Sequence, residues 1–166
     1  MRIRRVRKDE SERLRQVRLR ALAEAPSAFD SPLEDEREFP AELWARRAAA
    51  SAAGETAVTF FAEDQGDYVG LVTGLWEVEG PGRVMIVSMW VAPQARGRGI
   101  GRRLLAAVVD WARERGARQI DLWVTEGNDT ARTLYEKAGF VPTGERAPLD
   151  TNPSLIGAKL SLPLGG

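Results

Sequence analysis

Val91-Ala92-Pro93-Gln94-Ala95-Arg96-Gly97-Arg98-Gly99-Ile100-Gly101-Arg102 carries an apolar strand into a turn of alternating arginine and glycine, and then into a helix. Glycines at 97, 99 and 101 lack the Cβ atoms that would keep a ligand off the backbone, so successive N–H groups can converge on one anion. The helix that opens near Gly99 adds unsatisfied N–H groups and the positive end of its dipole. Arg96, Arg98, Arg102 and Arg103 bring guanidinium groups able to fork onto phosphate oxygens. A pyrophosphate fits this description, and a solvated arginine-rich turn is the bland alternative. Spacing separates the segment from two other phosphate loops: a dinucleotide fingerprint needs glycine where Arg102 stands, and a Walker loop ends in Gly-Lys-Ser/Thr, which the chain lacks.

Upstream, Arg2-Ile3-Arg4-Arg5-Val6 reads as a strand, followed by a helix with Asp9 and Ser11 as candidate caps, a stripe of Leu14, Val17, Leu19 and Leu22, and an end at Pro26. Residues 27–39 read as a loop with a charge run. Pro40 opens a second helix through Leu43, Trp44 and an alanine run, stopped by Gly54. Strands are expected over residues 57–63, 68–78 and 83–91 as antiparallel neighbours, separated by Gly-, Asp- and Pro-rich turns. Past the loop, Ile100, Leu104, Val108 and Trp111 recur at helical spacing up to Gly116, and residues 119–124 form a strand parallel to its predecessor across that helix. Residues 140–141 and 155–162 close the sheet. Internal repeats and low-complexity segments are absent.

With this order in place, Arg96-Gly97-Arg98-Gly99-Ile100-Gly101 resembles the Arg/Gln-x-x-Gly-x-Gly/Ala signature of the GCN5-related N-acetyltransferase (GNAT) superfamily. Asn128-Asp129-Thr130-Ala131-Arg132-Thr133-Leu134-Tyr135-Glu136-Lys137-Ala138-Gly139-Phe140 is similar to that family's later Asn-x-x-Ala-x-x-Leu-Tyr-x-x-x-Gly-Phe motif. Together the motifs and the elements between them cover residues 84–141. The resemblance implies an α/β (α+β) fold, a mixed twisted sheet of about seven strands flanked by about four helices, splayed between the fourth and fifth strands. It implies acetyl-coenzyme A as cosubstrate, with its pyrophosphate on the backbone of residues 96–102 (Arg96, Gly97, Arg98, Gly99, Ile100, Gly101 and Arg102). Its pantetheine would lie along the backbone of Met89 and Val91, where a splayed strand leaves N–H and C=O groups unpaired.

By the same resemblance Tyr135 is the acid that protonates the departing sulfur, against the alternative of a core tyrosine. Asn128 is either a cofactor contact or simply the N-cap of its helix. The family often carries a glutamate on the fourth strand, but here that strand reads Val84-Met85-Ile86-Val87-Ser88-Met89-Trp90. The general base is then a water chain ordered by Ser88, or a carboxylate from Glu77, Glu79 or Glu126. Trp76, Trp90 and Trp123 are either acceptor-pocket walls or sheet core. The implied activity is acetyl transfer to the primary amine of a small molecule or an exposed peptide, and the alternative is a noncatalytic acyl-coenzyme A sensor or interaction module on the same fold. The acidic run of Asp30, Glu34, Asp35, Glu36 and Glu38 is either solvated surface or a cation-attracting rim of the acceptor pocket.

Composition sets independent limits. A chain of 166 residues, 43% hydrophobic, suits one domain over 1–166 with a real core. Lysine plus arginine equals aspartate plus glutamate at 24 each, so no overall charge draws the protein to nucleic acid or to a membrane. With no cysteine and no histidine, disulfides, thiolate nucleophiles and Ser-His-Asp triads are excluded, and no acidic cluster has calcium-loop spacing, so no metal is expected. The expectation is a cytoplasmic enzyme, and many relatives in the family form homodimers.

Overall fold

The computed structural model describes residues 1–29 and 31–165. Its strands are β1 (Arg2–Arg5), β2 (Ala57–Asp64), β3 (Asp67–Trp76), β4 (Arg83–Val91), β5 (Gln119–Thr125), β6 (Val141–Pro148) and β7 (Ile156–Pro163). They form one seven-stranded sheet in the order β1-β2-β3-β4-β5-β7-β6, antiparallel at every junction except β4 with β5. The helices are α1 (Ser11–Glu24), α2 (Leu33–Arg37), α3 (Ala41–Ala53), α4 (Ile100–Glu114) and α5 (Asp129–Lys137).

The described residues hold five α-helices where the sequence suggested about four. The fifth is α2, inside the stretch read as a loop, and a 3₁₀ turn at Pro26–Ala28 precedes it. A five-residue helix is too short to show apolar periodicity. The caps proposed for α1 also differ. Its N-cap is Glu10, with no side-chain cap bond. That carboxylate turns back to accept from the Arg7 N–H at 3.0 Å and from both terminal nitrogens of Arg4, at 3.0 and 2.7 Å.

Alternation along β3 sorts the helices onto opposite faces. A Cβ on Gly70 would meet Leu104, and one on Gly74 would meet Val108 and Trp111, so this face carries α4. Leu71, Thr73 and Leu75 line a cavity with Leu14 of α1 and Trp44 of α3, so the other face carries α1 and α3. The Gly70 Cβ would also lie 2.9 Å from the Trp90 carbonyl oxygen, a close approach that only glycine permits.

The feature that shapes the functional region is the early end of the β4–β5 ladder. Pairing runs only from Arg83–Gln119 to Ile86–Leu122, although β4 continues to Val91 and β5 to Thr125. Opposite this point the β3–β4 register shifts between Leu71 and Thr73, and Ser88 has φ 61, a left-handed conformation uncommon for a residue with a Cβ. An extra residue in one strand bends it away from its neighbour. The bulge is anchored from α1, where Arg18 donates an Nη1 hydrogen bond to Ser88 Oγ. Arg18 is held in turn by Glu36 of α2, Nε to Oε1 at 2.9 Å and Nη2 to Oε2 at 3.0 Å, and Arg47 of α3 approaches the same carboxylate at 3.5 Å.

Glu36 is fully buried. Burial alone would raise its pKa, but hydrogen bonds and charge from Arg18, with Ser31 and Arg47, bring it below the ordinary carboxylate value of 4.5. The carboxylate therefore contributes stability above its unfolded pKa and loses that contribution as pH falls through its lower folded value. Glu36→Ala should destabilise the protein by about 3–5 kcal/mol in urea denaturation, because it strands the largely buried Arg18 guanidinium and removes the counter-charge beside Arg47. Glu36→Gln should flatten the acid limb of the stability curve between pH 5 and the acid transition, and an unchanged limb would show that other carboxylates set it.

Candidate functional site

Between the separated ends of β4 and β5 lies a cavity of about 440 Å³. Met85, Ser88 and Met89 face it from β4, Trp123 and Val124 from β5, and Ala131, Leu134 and Tyr135 from α5, while Ser27 to Phe29 and Ser31 border it. Ala92 N–H bonds the Val69 carbonyl on the β3 side at 2.7 Å. Strand alternation therefore turns the N–H and C=O of Val91 towards the unpaired edge. Its carbonyl already accepts from Arg96 Nε at 3.0 Å, which leaves its N–H as the open backbone donor at this position.

The loop after β4 is built as the sequence implied. Ala95 and Arg96 close a 3₁₀ turn onto Ala92 and Pro93, and the first internal bond of α4 is Arg103 N–H to the Gly99 carbonyl at 3.2 Å. Among the described residues the consecutive N–H groups of residues 97–102 have no hydrogen-bond acceptor, and no side chain caps α4. Gly97 and Gly99 have φ 79 and 78, and a Cβ on Gly97 would meet nothing within 4 Å. The space beside Gly97 is open, and the protein's own packing does not cover the turn there. Gly101 differs, since a Cβ there would sit 3.2 Å from Leu134 Cδ2, and its smallness seats α4 against α5.

The four loop arginines do not act alike. Arg96 spends Nε on Val91 and Nη2 on Glu24 at 2.9 Å, and Arg98 pairs with Asp64 at 2.9 Å. Arg103 reaches only the Met1 sulfur, and Arg102 has no ion-pair partner among the described residues. Two of the four arginines read from the sequence as able to fork onto phosphate are thus tied to the protein's own carboxylates, and the open donors of the turn itself are backbone N–H groups.

Tyr135 is 6% exposed, lies on the cavity wall, and packs edge-on to Phe140 at 6.1 Å. Its hydroxyl has no hydrogen-bond partner among the described residues, and burial pushes its pKa up to about 12. Asn128 caps α5, its Oδ1 accepting from Ala131 N–H at 3.2 Å, and also lines the cavity, so the N-cap reading holds. Ser88 is 7% exposed and lines the cavity.

The carboxylates offered as bases lie elsewhere. Glu77 and Glu79 border a separate cavity with Arg83 and Lys159, and Glu126 is paired with Arg146 at 2.9 Å. Of the tryptophans only Trp123 reaches the gap. Trp90 is buried with Nε1 donating to Glu24 at 2.8 Å, and Trp76 lies under Arg115. In the acidic run, Glu34, Asp35 and Glu38 are exposed, Glu36 is buried and paired, and Asp30 lies outside the described residues. Of the two residues that hold the bulge, Arg18 went unremarked in the sequence and Glu36 was noted only as one acid of the run, because an arginine on a helix and a glutamate in an acidic run carry no motif. Among the described residues no acidic cluster could hold a metal ion, and no helix is long and apolar enough to cross a membrane.

The sequence profile of the acetyltransferase (GNAT) family matches residues 19–140. A mycothiol acetyltransferase of Beutenbergia cavernae is 33% identical over 129 residues, which cover 77% of this chain but only 40% of that protein. In fold, the chain superposes on YncA, an acetyltransferase of Salmonella typhimurium solved with its cofactor acetyl-CoA, with a TM-score of 0.81 at 20% identity over 100% of this chain and 95% of the other. The PaiA N-acetyltransferase of Thermoplasma acidophilum, in complex with coenzyme A, superposes with a TM-score of 0.76 at 15% identity over 98% of each chain. The profile spans most of the sequence and both motifs up to Phe140, and on that ground the chain belongs to the acetyltransferase (GNAT) family.

Proposed function

We propose that this protein transfers the acetyl group of acetyl-coenzyme A to the primary amine of a small molecule or an exposed peptide. The observation that carries the reading is the run of N–H groups at residues 97–102 that find no acceptor among the described residues, on a loop whose Gly101 packs against Leu134, which lines the gap together with Tyr135. Acetyl-coenzyme A supplies an activated thioester and a pyrophosphate. The residues present fit both, with a backbone anion cradle at the turn and an unpaired strand edge leading inward from Val91 past Met89.

Arg102 and Arg103 add loop guanidinium groups with no counter-charge among the described residues. Arg96 and Arg98 brace the turn, Arg96 through Glu24 and the Val91 carbonyl, Arg98 through Asp64. Asn128 fixes the start of α5 and so the direction of the Tyr135 side chain. Tyr135 keeps its proton across the physiological range and offers it to the departing sulfur. Near neutral pH a phenol with a pKa near 12 is a good hydrogen-bond donor and a weak acid, so its main work is to hold that sulfur as negative charge develops. Among the described residues no carboxylate lines the gap, and Ser88 is the polar group on β4 able to order a water that takes the amine's proton. The open cavity supports turnover over a purely noncatalytic acyl-coenzyme A module.

Gly99→Val should keep the fold, since a Cβ there meets nothing nearer than the Arg102 side chain at 4.0 Å. It should still weaken coenzyme A binding by more than about tenfold, or ~1.4 kcal/mol, through backbone strain and loss of close approach. Calorimetry on a folded variant with unchanged affinity would remove the loop assignment. Arg102→Gln should lower affinity and its salt dependence more than Arg98→Gln does.

Tyr135→Phe deletes no hydrogen bond among the described residues, so its melting temperature should stay close to wild type. Its kcat should fall by roughly a hundredfold with little change in coenzyme A affinity. In the wild type the phenol titrates near 12, so the kcat profile should show no falling limb from it up to pH 10. Full activity in the phenylalanine variant would leave Tyr135 as packing.

A further inference from the structure

A second cavity, of about 250 Å³, lies beneath α1 and α3 and shares Arg18, Val87 and Ser88 with the gap. Its wall is short of negative charge. Among the described residues Arg18 and Arg47 share the one carboxylate of Glu36, which leaves an excess of one positive charge there. Arg18 is fully engaged, with Nε and Nη2 on Glu36 and Nη1 on Ser88. Arg47 touches Glu36 only at 3.5 Å, its side chain is 39% exposed, and most of its five N–H donors are uncommitted. Burial and the neighbouring Arg18 charge act against its charged form.

Beside it, Trp44 is 2% exposed, yet its Nε1–H has no partner among the described residues. Arg47 stacks over the Trp44 ring at 5.0 Å, so an open cation and an unsatisfied buried donor belong to one wall. The lining otherwise offers Leu14, Ala50, Leu71, Leu75 and the Thr59–Thr73 hydroxyl pair, and none of its side chains is acidic. A carboxylate supplies the counter-charge that Arg47 lacks, and a small turn of the adjoining Trp44 ring would bring its buried indole N–H the acceptor it also lacks. A polyamine would bring further positive charge to a site that already holds an excess.

The geometry points to this cavity as the anchor for the acceptor's carboxylate, held by Arg47 and Trp44, with the acceptor amine directed past Ser88 into the gap. The inference rests on the acetyl-transfer reading above and narrows its acceptors to small amino acids and other amino-carboxylates. A cavity of about 250 Å³ is smaller than a drug-sized site and matches a short acid of this kind.

The test uses the whole chain and pairs of probes that differ only in charge: α-, β- and γ-amino acids with apolar side chains, and the carboxamide of each. Calorimetry with and without saturating coenzyme A should show at least one acid binding more than about tenfold tighter than its amide. That preference should shrink to near unity in Arg47→Gln, recover in part in Arg47→Lys, and weaken in Trp44→Phe. With acetyl-coenzyme A present, the same acid-to-amide ratio should appear in kcat/KM, mainly through KM. Equal affinity for acids and amides, including none for either, overturns the carboxylate anchor, as does a preference that survives Arg47→Gln in a variant with wild-type melting. Acids that bind but are never acetylated, on a protein that also fails to bind coenzyme A, would instead sink the acetyl-transfer reading and leave the carboxylate site standing.

Discussion

One guanidinium organises the functional half of this molecule. Arg18 leaves α1, takes both oxygens of Glu36 on α2, and reaches Ser88 in the left-handed bulge of β4. Without that bulge the β4–β5 ladder could continue past Ile86 and Leu122, and the gap would close by ordinary strand pairing. A left-handed serine is costly by itself and persists only where its surroundings over-determine it. Here they do so with a buried ion pair, which fixes direction better than apolar contact does. The arrangement ties the loop that borders the cavity to the strand that opens it.

The division of labour in the phosphate loop follows from the same logic of fixed partners. Arginines usually advertise phosphate contacts, but two of these four are committed to Glu24 and Asp64. Each such pair is partly exposed and contributes modestly to stability. Their main effect is geometric, since they hold the turn so that backbone N–H groups remain aimed outward. A site made of backbone donors is rigid and loses little entropy when occupied, unlike one made of long side chains.

What could be read in the sequence was whatever chemistry demands locally. A turn of Gly97, Gly99 and Gly101 entering an amphipathic helix, and the Asn128-to-Phe140 motif, have few other uses, and they fixed the strand order around them. The antiparallel run of β2, β3 and β4 and the parallel β4–β5 step also followed from pattern and handedness. The misses share one cause, which is distance along the chain. Glu36 looks like one acid in a surface run until its partners, 18 residues before it in Arg18 and in the next helix at Arg47, are brought together. Glu126 looked free until Arg146 arrived from β6. Trp44 was read only as part of a helix, and its three-dimensional setting shows that its N–H lacks an acceptor among the described residues.

The short β4–β5 ladder also makes a seam. On one side lie β1 to β4 with α4 packed across them; on the other lie β5, β7, β6 and α5. Besides the ladder, links between the halves include the Gly82 carbonyl, which accepts from the Arg118 and Gln119 N–H groups, the Gly101–Leu134 contact, and the segment after α1, whose carbonyls at Ser27 and Phe29 accept from Thr125 and Thr151. Such a boundary is where native-state opening is least costly, and a molecule lying in it acts as a removable crosslink. Occupancy then stiffens the sheet by RT ln(1 + [L]/Kd), so that the mechanical integrity of the protein becomes a readout of cofactor supply.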